Sequence, residues 1–320
     1  MAKQQQAGRV SSPKRRGRGC LVWLGGMVAA LLGLTLLGAL YESLAEAADR
    51  RAAPPPGQLV DVGGYRLHLT CVGTGSPTVV IEYGWGDSSA SWRRAVQPEV
   101  ARTTRVCTYD HAGTGLSEAG PMPRTAWQFA QELHTLLQRA HIPGPYVLVG
   151  HSLGGATVRV FMHEYAADVA GVVLVDSMSP RSATQSASAA PPATTGQPSG
   201  LSLPTLPARI GVLRLLAGPL GLDPLTVTPR AVQTTLDEGR GLGASLAQAG
   251  AVTTFGDLPL IVLSRGRDQD PDWQSMQAEL LQLSTNSRQL IADRSGHNVQ
   301  MDQPEAAVGA IVTMVELLRR

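Results

Sequence analysis

The stretch Val147-Leu-Val-Gly-His-Ser-Leu-Gly-Gly155 joins a short apolar run to a segment with helical spacing. A serine at the centre of Gly-x-Ser-x-Gly, between a strand and a helix, lies on a tight turn that lifts its hydroxyl clear of the backbone. The flanking glycines leave room for that turn, and the N-terminus of the following helix supplies positive potential where an oxyanion forms. The pattern predicts that Ser152 is a nucleophile and that the N–H of Leu153 is one oxyanion donor.

A serine hydroxyl needs a base to take its proton. We favour His297, which follows a predicted last strand at 288–292 and precedes a predicted final helix at 304–318. His151, beside the nucleophile, is expected to be structural or part of the site wall. Four further histidines of the predicted catalytic domain fall within regular elements or at a helix end and are interpreted as packing or surface residues: His68, His134, His141 and His163.

The third member of such a site is a carboxylate that orients the imidazole and follows the serine in the chain. Asp268 comes after the predicted strand 259–263, and Asp176 ends the strand before it. Because the carboxyl ends of parallel strands face one crevice, both can reach the same site. We favour Asp268 and keep Asp176 as the alternative acid.

A second oxyanion donor is expected from an earlier loop. The segment Ile81-Glu-Tyr-Gly-Trp-Gly-Asp87 follows a predicted strand and exposes backbone around a glycine. We assign this donor to the N–H of Trp85, with Tyr83 or Gly84 as alternatives.

The fold class is α/β. A hairpin is predicted from 58–62 and 65–72, and short apolar runs typical of strands buried on both faces follow at 78–83, 105–109, 146–149 and 171–175. Helical spacing appears at 127–140 and 156–165. Strands that alternate with helices indicate a mostly parallel sheet with helices on both faces.

The first 57 residues have a different character. A basic tail (1–19) is predicted to be cytoplasmic, and the uncharged segment 20–41 is long enough to cross a bilayer as a single transmembrane anchor. A Pro-rich linker (42–57) and the catalytic domain (58–320) would then lie outside the cytoplasm. The alternative is a signal peptide cleaved near Ala45-Glu-Ala47, which would release a secreted enzyme.

The chain has a net charge of +2, and its positive charge is concentrated in the basic tail rather than on the predicted catalytic domain. A nucleic-acid partner would require a basic face on the folded domain, so this distribution argues against one.

Cys71 and Cys107 are an even pair that either forms a disulfide or remains as two buried thiols. Residues 182–207 are rich in Ser, Ala, Thr and Pro and predict a mobile loop, while 208–222 and 230–249 have helical character and are candidates for a small cap.

Four motifs in order resemble those of α/β-fold hydrolases over most of the chain from about residue 58. They are Glu82-Tyr-Gly-Trp-Gly-Asp87, Tyr109-Asp-His-Ala-Gly-Thr-Gly-Leu-Ser117, Gly150-His-Ser-Leu-Gly-Gly155, and Ser295-Gly-His297 with Asp302-Gln-Pro-Glu305. The resemblance implies a mostly parallel eight-stranded sheet flanked by helices, with a helical lid inserted at about 177–257. It also implies that the strands of Cys71 and Cys107 are neighbours, which favours the disulfide.

The resulting hypothesis is a serine hydrolase that cleaves a hydrophobic, small-molecule carboxylic ester through an acyl-serine, with no metal or organic cofactor implied. The same triad also runs amide, thioester, C–C and peracid chemistry in this fold. A hypothesis from another class is a non-catalytic binding module that kept the fold.

Overall fold

A computed structural model of the chain describes residues 16–51, 57–181, 203–268 and 270–320, with side chains of the first helix from Val22 onward. The predicted basic tail up to residue 15, the Pro-rich part of the linker at 52–56 and most of the predicted mobile loop, 182–202, lie outside these residues.

One eight-stranded sheet forms the centre of the domain, with strand order β1-β2-β4-β3-β5-β6-β7-β8. The second strand runs antiparallel to both of its neighbours, and all pairs from β4 to β8 are parallel. The strands are β1 (Gln58–Asp61), β2 (Arg66–Val72), β3 (Thr78–Glu82), β4 (Val106–Tyr109), β5 (Tyr146–His151), β6 (Val169–Val175), β7 (Leu260–Arg265) and β8 (Ser287–Ala292). The predicted α/β fold with a mostly parallel eight-stranded sheet is confirmed.

Helices cover both faces of this sheet. The α-helices among the described residues are α1 (Arg16–Arg51), α2 (Ser89–Val100), α3 (Ala126–Arg139), α4 (Gly154–Glu164), α5 (Leu206–Arg209), α6 (Val212–Ala217), α7 (Pro229–Ala251), α8 (Pro271–Leu281), α9 (Val299–Asp302) and α10 (Pro304–Leu317). Successive residues of a strand point to opposite faces, so Val147 and Val149 join one apolar core, whereas Leu148 joins the other. Burial on both faces explains why the central strands read as continuous apolar runs.

The lid lies between β6 and β7, as the resemblance implied, and its described helices are α5, α6 and α7. The predicted cap helix over 208–222 is two shorter helices, because Gly211 adopts the left-handed region between them, with φ of +74°. The segment from Leu203 to Pro207, expected to be loop, forms a 3₁₀ turn and the start of α5.

The predicted linker at 42–57 is corrected in its first part. The segment Glu42-Ser-Leu-Ala-Glu-Ala-Ala-Asp-Arg-Arg51 continues α1 rather than forming a linker. These are mostly strong helix formers, and the first proline follows only at Pro54. The apolar segment up to Tyr41 and the ten polar-rich residues beyond it are therefore one continuous helix.

Cys71 and Cys107 stand directly opposite one another on β2 and β4, and their sulfurs are bonded. The bridge closes a loop with a sequence separation of 36 residues. We expect the double variant Cys71→Ala/Cys107→Ala to lose about 2–4 kcal/mol of unfolding free energy, because the reduced unfolded chain gains conformational freedom. Urea unfolding measures this loss.

Cys20→Ser, which leaves the bridge intact, is the matched control and should unfold like the wild type. Reductant should lower the wild-type unfolding midpoint and leave that of the double variant unchanged. Equal midpoints for the wild type with and without reductant would contradict a stabilising bridge.

Candidate active site

Ser152 lies on the turn between β5 and α4, with a backbone φ of +52°. A non-glycine residue in this region is strained, and such strain persists only where surrounding structure holds it. Gly154 is required next to it because a β-carbon there would stand 2.4 Å from the carbonyl oxygen of Glu82 on β3. The close approach of β3 and the elbow thus explains the second glycine of the motif.

The Ser152 Oγ lies 3.0 Å from Nε2 of His297, and Nδ1 of the same ring lies 2.6 Å from Oδ2 of Asp176. With Nδ1–H donating to the carboxylate, Nε2 carries a lone pair that can accept a proton from the serine hydroxyl. The three side chains come from the ends of β5 and β6 and from the loop after β8, so they meet at the carboxyl edge of the parallel strands.

Asp176 is fully buried and accepts three further hydrogen bonds. Its Oδ1 accepts from the backbone N–H of Arg265 at 3.1 Å and from the indole N–H of Trp273 at 2.9 Å. The Arg265 guanidinium is 3.4 Å from Oδ2 and stacks over the Trp273 ring. A carboxylate held by these donors keeps a fixed orientation, and so it fixes the tautomer and direction of His297.

The preference for Asp268 is therefore corrected: the carboxylate on His297 in the structure is that of Asp176. The two aspartates differ in position relative to the sheet. Asp176 follows β6, which pairs with β5 directly beneath the nucleophile, whereas Asp268 lies three residues beyond the end of β7 and is exposed. Asp268 approaches the loop of His297 near Gly296 without reaching the ring.

His151, expected to be structural, holds the histidine loop in place. Its Nε2 lies 3.0 Å from the backbone carbonyl oxygen of His297, to which the N–H donates. Burial, with a smaller effect of the neighbouring His297 ring, lowers the pKa of His151 to about 4. The ring is therefore neutral near pH 7 and serves as a hydrogen-bond donor rather than as a positive charge beside the His297 ring.

The two backbone segments that contain the predicted oxyanion donors approach Ser152. Leu153 is the first residue before α4, and Gly84 approaches so closely that a β-carbon on it would stand 2.7 Å from the Ser152 Cβ. Among the described residues, the backbone N–H groups of Leu153 and Trp85 find no acceptor. Free N–H groups beside a serine nucleophile are what an oxyanion requires.

Two contacts from the lid helix α7 reach this part of the molecule. The indole N–H of Trp85 donates to the carbonyl of Thr235 at 2.7 Å. Glu238 places a carboxylate oxygen 3.2 Å from Nδ1 of the buried His111, whose other ring nitrogen lies 3.0 Å from Glu82. Sequence reasoning assigned no role to His111 or Glu238; only the position of His111 within the motif at 109–117 marked it.

A family model described as the alpha/beta hydrolase fold matches residues 77–304. The chain belongs to the α/β-hydrolase family. This span contains Ser152, Asp176, His297 and the lid, and membership supports a hydrolytic activity.

The chain is also similar to three other proteins, but each similarity is either partial or distant. The chain is 27% identical to the uncharacterized protein YqjL of Bacillus subtilis, over 72% of this chain and 81% of that one. It is 37% identical to a probable transporter, EfuK, of Hormonema carpetanum, but over only 37% of this chain and 18% of that one. A putative lipase of Acinetobacter baumannii superposes with a TM-score of 0.61 and 18% identity, over 87% of this chain and 96% of that one, which is a likeness of fold.

Proposed function

We propose that this α/β hydrolase cleaves carboxylic esters through an acyl-serine intermediate. The observation that carries the proposal is the unbroken chain of contacts from Ser152 Oγ to His297 Nε2 at 3.0 Å and from His297 Nδ1 to Asp176 at 2.6 Å. A strained elbow, a base within hydrogen-bond reach and a buried acid that orients the base are the requirements for an activated serine.

In the first half of the reaction, Ser152 Oγ attacks the ester carbonyl while His297 Nε2 takes its proton. The carbonyl oxygen becomes negative and accepts hydrogen bonds from the N–H groups of Leu153 and Trp85. Collapse of this intermediate breaks the bond to the alcohol, which leaves with the proton from His297. Asp176 stabilises the transient imidazolium.

In the second half, His297 takes a proton from water as the water oxygen attacks the acyl carbon. The same oxyanion donors stabilise the second tetrahedral intermediate, and Ser152 leaves with the proton from His297. The products are the acid and the regenerated enzyme. Every proton in this scheme passes through one imidazole ring, so no metal or further acid is needed.

The N-terminal helix supports an assignment to a membrane. Among the described residues, one stretch, Val22–Arg51 of α1, is long and apolar enough to cross a bilayer, and its apolar part is not buried in the structure. The basic cluster before it favours a cytoplasmic N-terminus and an external catalytic domain. A site held at a membrane favours hydrophobic, lipid-like esters as substrates.

Labelling by a fluorophosphonate tests the proposal on the full chain. We expect one covalent adduct, located at Ser152 by mass spectrometry, and turnover of p-nitrophenyl esters whose dependence on acyl length reports the size of the acyl pocket. Ser152→Ala should remove the adduct and the turnover together. His297→Ala should label far more slowly, because the serine then lacks its base.

Ser287→Ala is the matched control, since Ser287 lies at the amino end of β8, at the opposite edge of the sheet from the triad. It should label and turn over like the wild type. A wild-type chain that neither labels nor hydrolyses any of these esters would overturn the proposal in favour of a binding module.

A further inference from the structure

The lid carries an apolar surface that no described part of the chain covers. The segment Ile210-Gly-Val-Leu-Arg-Leu-Leu-Ala-Gly-Pro-Leu-Gly-Leu222 contains a single charged residue, Arg214. Leu215 is 63% exposed, Leu216 51% and Leu220 67%. Several large apolar side chains in water within one short segment are costly, and such patches mark surfaces that meet an apolar partner.

The single charge of this segment is turned away from that surface. Arg214 is buried, and its Nε lies 2.7 Å from Oε2 of Glu42 and its Nη2 3.0 Å from Oε1 of the same carboxylate. A second carboxylate, Asp49, is also bonded to Arg214. Both acids belong to α1. The pairing neutralises the arginine and leaves the outward surface of the segment uncharged.

The same segment packs against the apolar part of α1. A β-carbon on Gly38 would stand 2.5 Å from the carbonyl oxygen of Ile210, and one on Gly211 would stand 2.8 Å from the Tyr41 ring. Backbones approach this closely only where a glycine leaves room. A further ion pair, from Arg230 of α7 to Glu46 at 3.3 Å, joins the lid to α1 one turn beyond Glu42.

These contacts set the depth of the segment relative to a bilayer. The apolar run from Val22 to Tyr41 is about 20 residues, or about 30 Å of helix, which matches the hydrocarbon core of a bilayer. Its outer boundary then falls between Tyr41 and Glu42. Gly38 lies about 5 Å inside that boundary, so a segment packed on Gly38 and Tyr41 lies at the same level as the membrane surface.

We propose that the lid segment 210–222 is itself seated in the outer face of the bilayer, with Leu215, Leu216 and Leu220 among the acyl chains. The occupant of the apolar surface is lipid because the surface is continuous with the membrane-spanning helix and has no outward charge. This inference rests on the proposed membrane anchoring and deepens it. The lid would present the active site to esters within the membrane rather than to esters in solution.

Fluorescence quenching in vesicles tests the position of the lid. The full chain, with Cys20→Ser to remove the free thiol, receives one new cysteine at a time through Leu216→Cys, Leu31→Cys or Ile291→Cys. Each is labelled with an NBD fluorophore and reconstituted in phosphatidylcholine vesicles with or without spin-labelled phosphatidylcholine. Ile291 is the matched control because it is exposed to the same extent, 52%, but lies on the edge strand β8.

We expect the fluorophores at 216 and 31 to be quenched several-fold more by the spin-labelled lipid than the fluorophore at 291, which should respond to aqueous iodide. Quenching by the spin-labelled lipid at position 31 but not at position 216 would contradict the proposed position of the lid in the bilayer, while still supporting the membrane anchor. No lipid quenching at 31 would overturn the anchor itself. Protection at 216 from both quenchers would place a protein surface there, such as a second copy of the chain, and would also overturn the inference.

Discussion

Asp176→Asn is expected to lower kcat for p-nitrophenyl esters by about 10⁴-fold. The carboxylate accepts Nδ1–H of His297 at 2.6 Å and is fully buried, so it fixes the tautomer in which Nε2 takes the serine proton. An amide in its place offers N–H groups toward the ring and no negative charge for the imidazolium. Asparagine tolerates the φ of +41° at this position, so the fold should survive.

Asp268→Asn is the matched control for this prediction. Asp268 also has a positive φ, +51°, and it lies in the neighbouring loop but is exposed. Its kcat should stay within a few-fold of the wild type. Steady-state kinetics with the active sites counted by fluorophosphonate decide the comparison. If Asp268→Asn lowers kcat more than Asp176→Asn does, the prediction is wrong and Asp268 is the acid.

The difference between these two aspartates also explains how far the sequence predicts the site. Ser152 and His297 stand out because each has a local pattern, an elbow glycine pair or a loop between the last strand and the final helix. The acid has no local pattern: any carboxylate that follows a neighbouring strand qualifies. The choice depends on how each loop turns after its strand, and that geometry is set by tertiary contacts such as those of Trp273 and Arg265 with Asp176.

The fold was predictable for a similar reason. Strands buried on both faces leave continuous apolar runs and amphipathic helices leave periodic signals, whereas α2, which contains Pro98, was not predicted although its buried Trp92, Val96 and Val100 follow helical spacing. The partner of α1 was missed because its contacts are between distant parts of the chain. Arg214 is separated from Glu42 by 172 residues, and neither residue type signals a buried ion pair.

The second prediction with a large expected effect concerns the stability contributed by His111, a buried residue that joins Glu238 of the lid to Glu82 of the sheet. The His111 ring is stacked between Tyr83, with centroids 4.0 Å apart, and Phe129, at 4.5 Å. Burial acts to lower the pKa of His111, but the charge of Glu82 and the hydrogen bonds of Glu238 and Glu82 outweigh it and raise the pKa to about 10. The ring is therefore an imidazolium at neutral pH, held between two carboxylates.

His111→Gln should lower the free energy of unfolding by about 3–5 kcal/mol near pH 7, because two buried carboxylates lose their cation. Because the pKa of His111 in the folded chain is above its unfolded value of 6.5, protonated His111 stabilises the folded chain. This stabilisation is fully present below pH 6.5 and is lost as the pH rises toward 10. The difference between wild type and variant should thus be largest near pH 6 and shrink with increasing pH, by up to about 1.4 kcal/mol per pH unit. Urea unfolding of the full chain in detergent measures it.

His134→Gln is the matched control, since His134 is also stacked on an aromatic ring, that of Tyr165 at 3.8 Å, and lies 3.2 Å from a carboxylate of Asp168. That pair is partly exposed, so its loss should cost less than about 1 kcal/mol. An equal cost for the two variants would show that burial between Glu82 and Glu238 adds nothing. A difference from wild type that grows with pH would show that His111 is neutral in the folded chain, and the lid would then be held by an ordinary hydrogen bond.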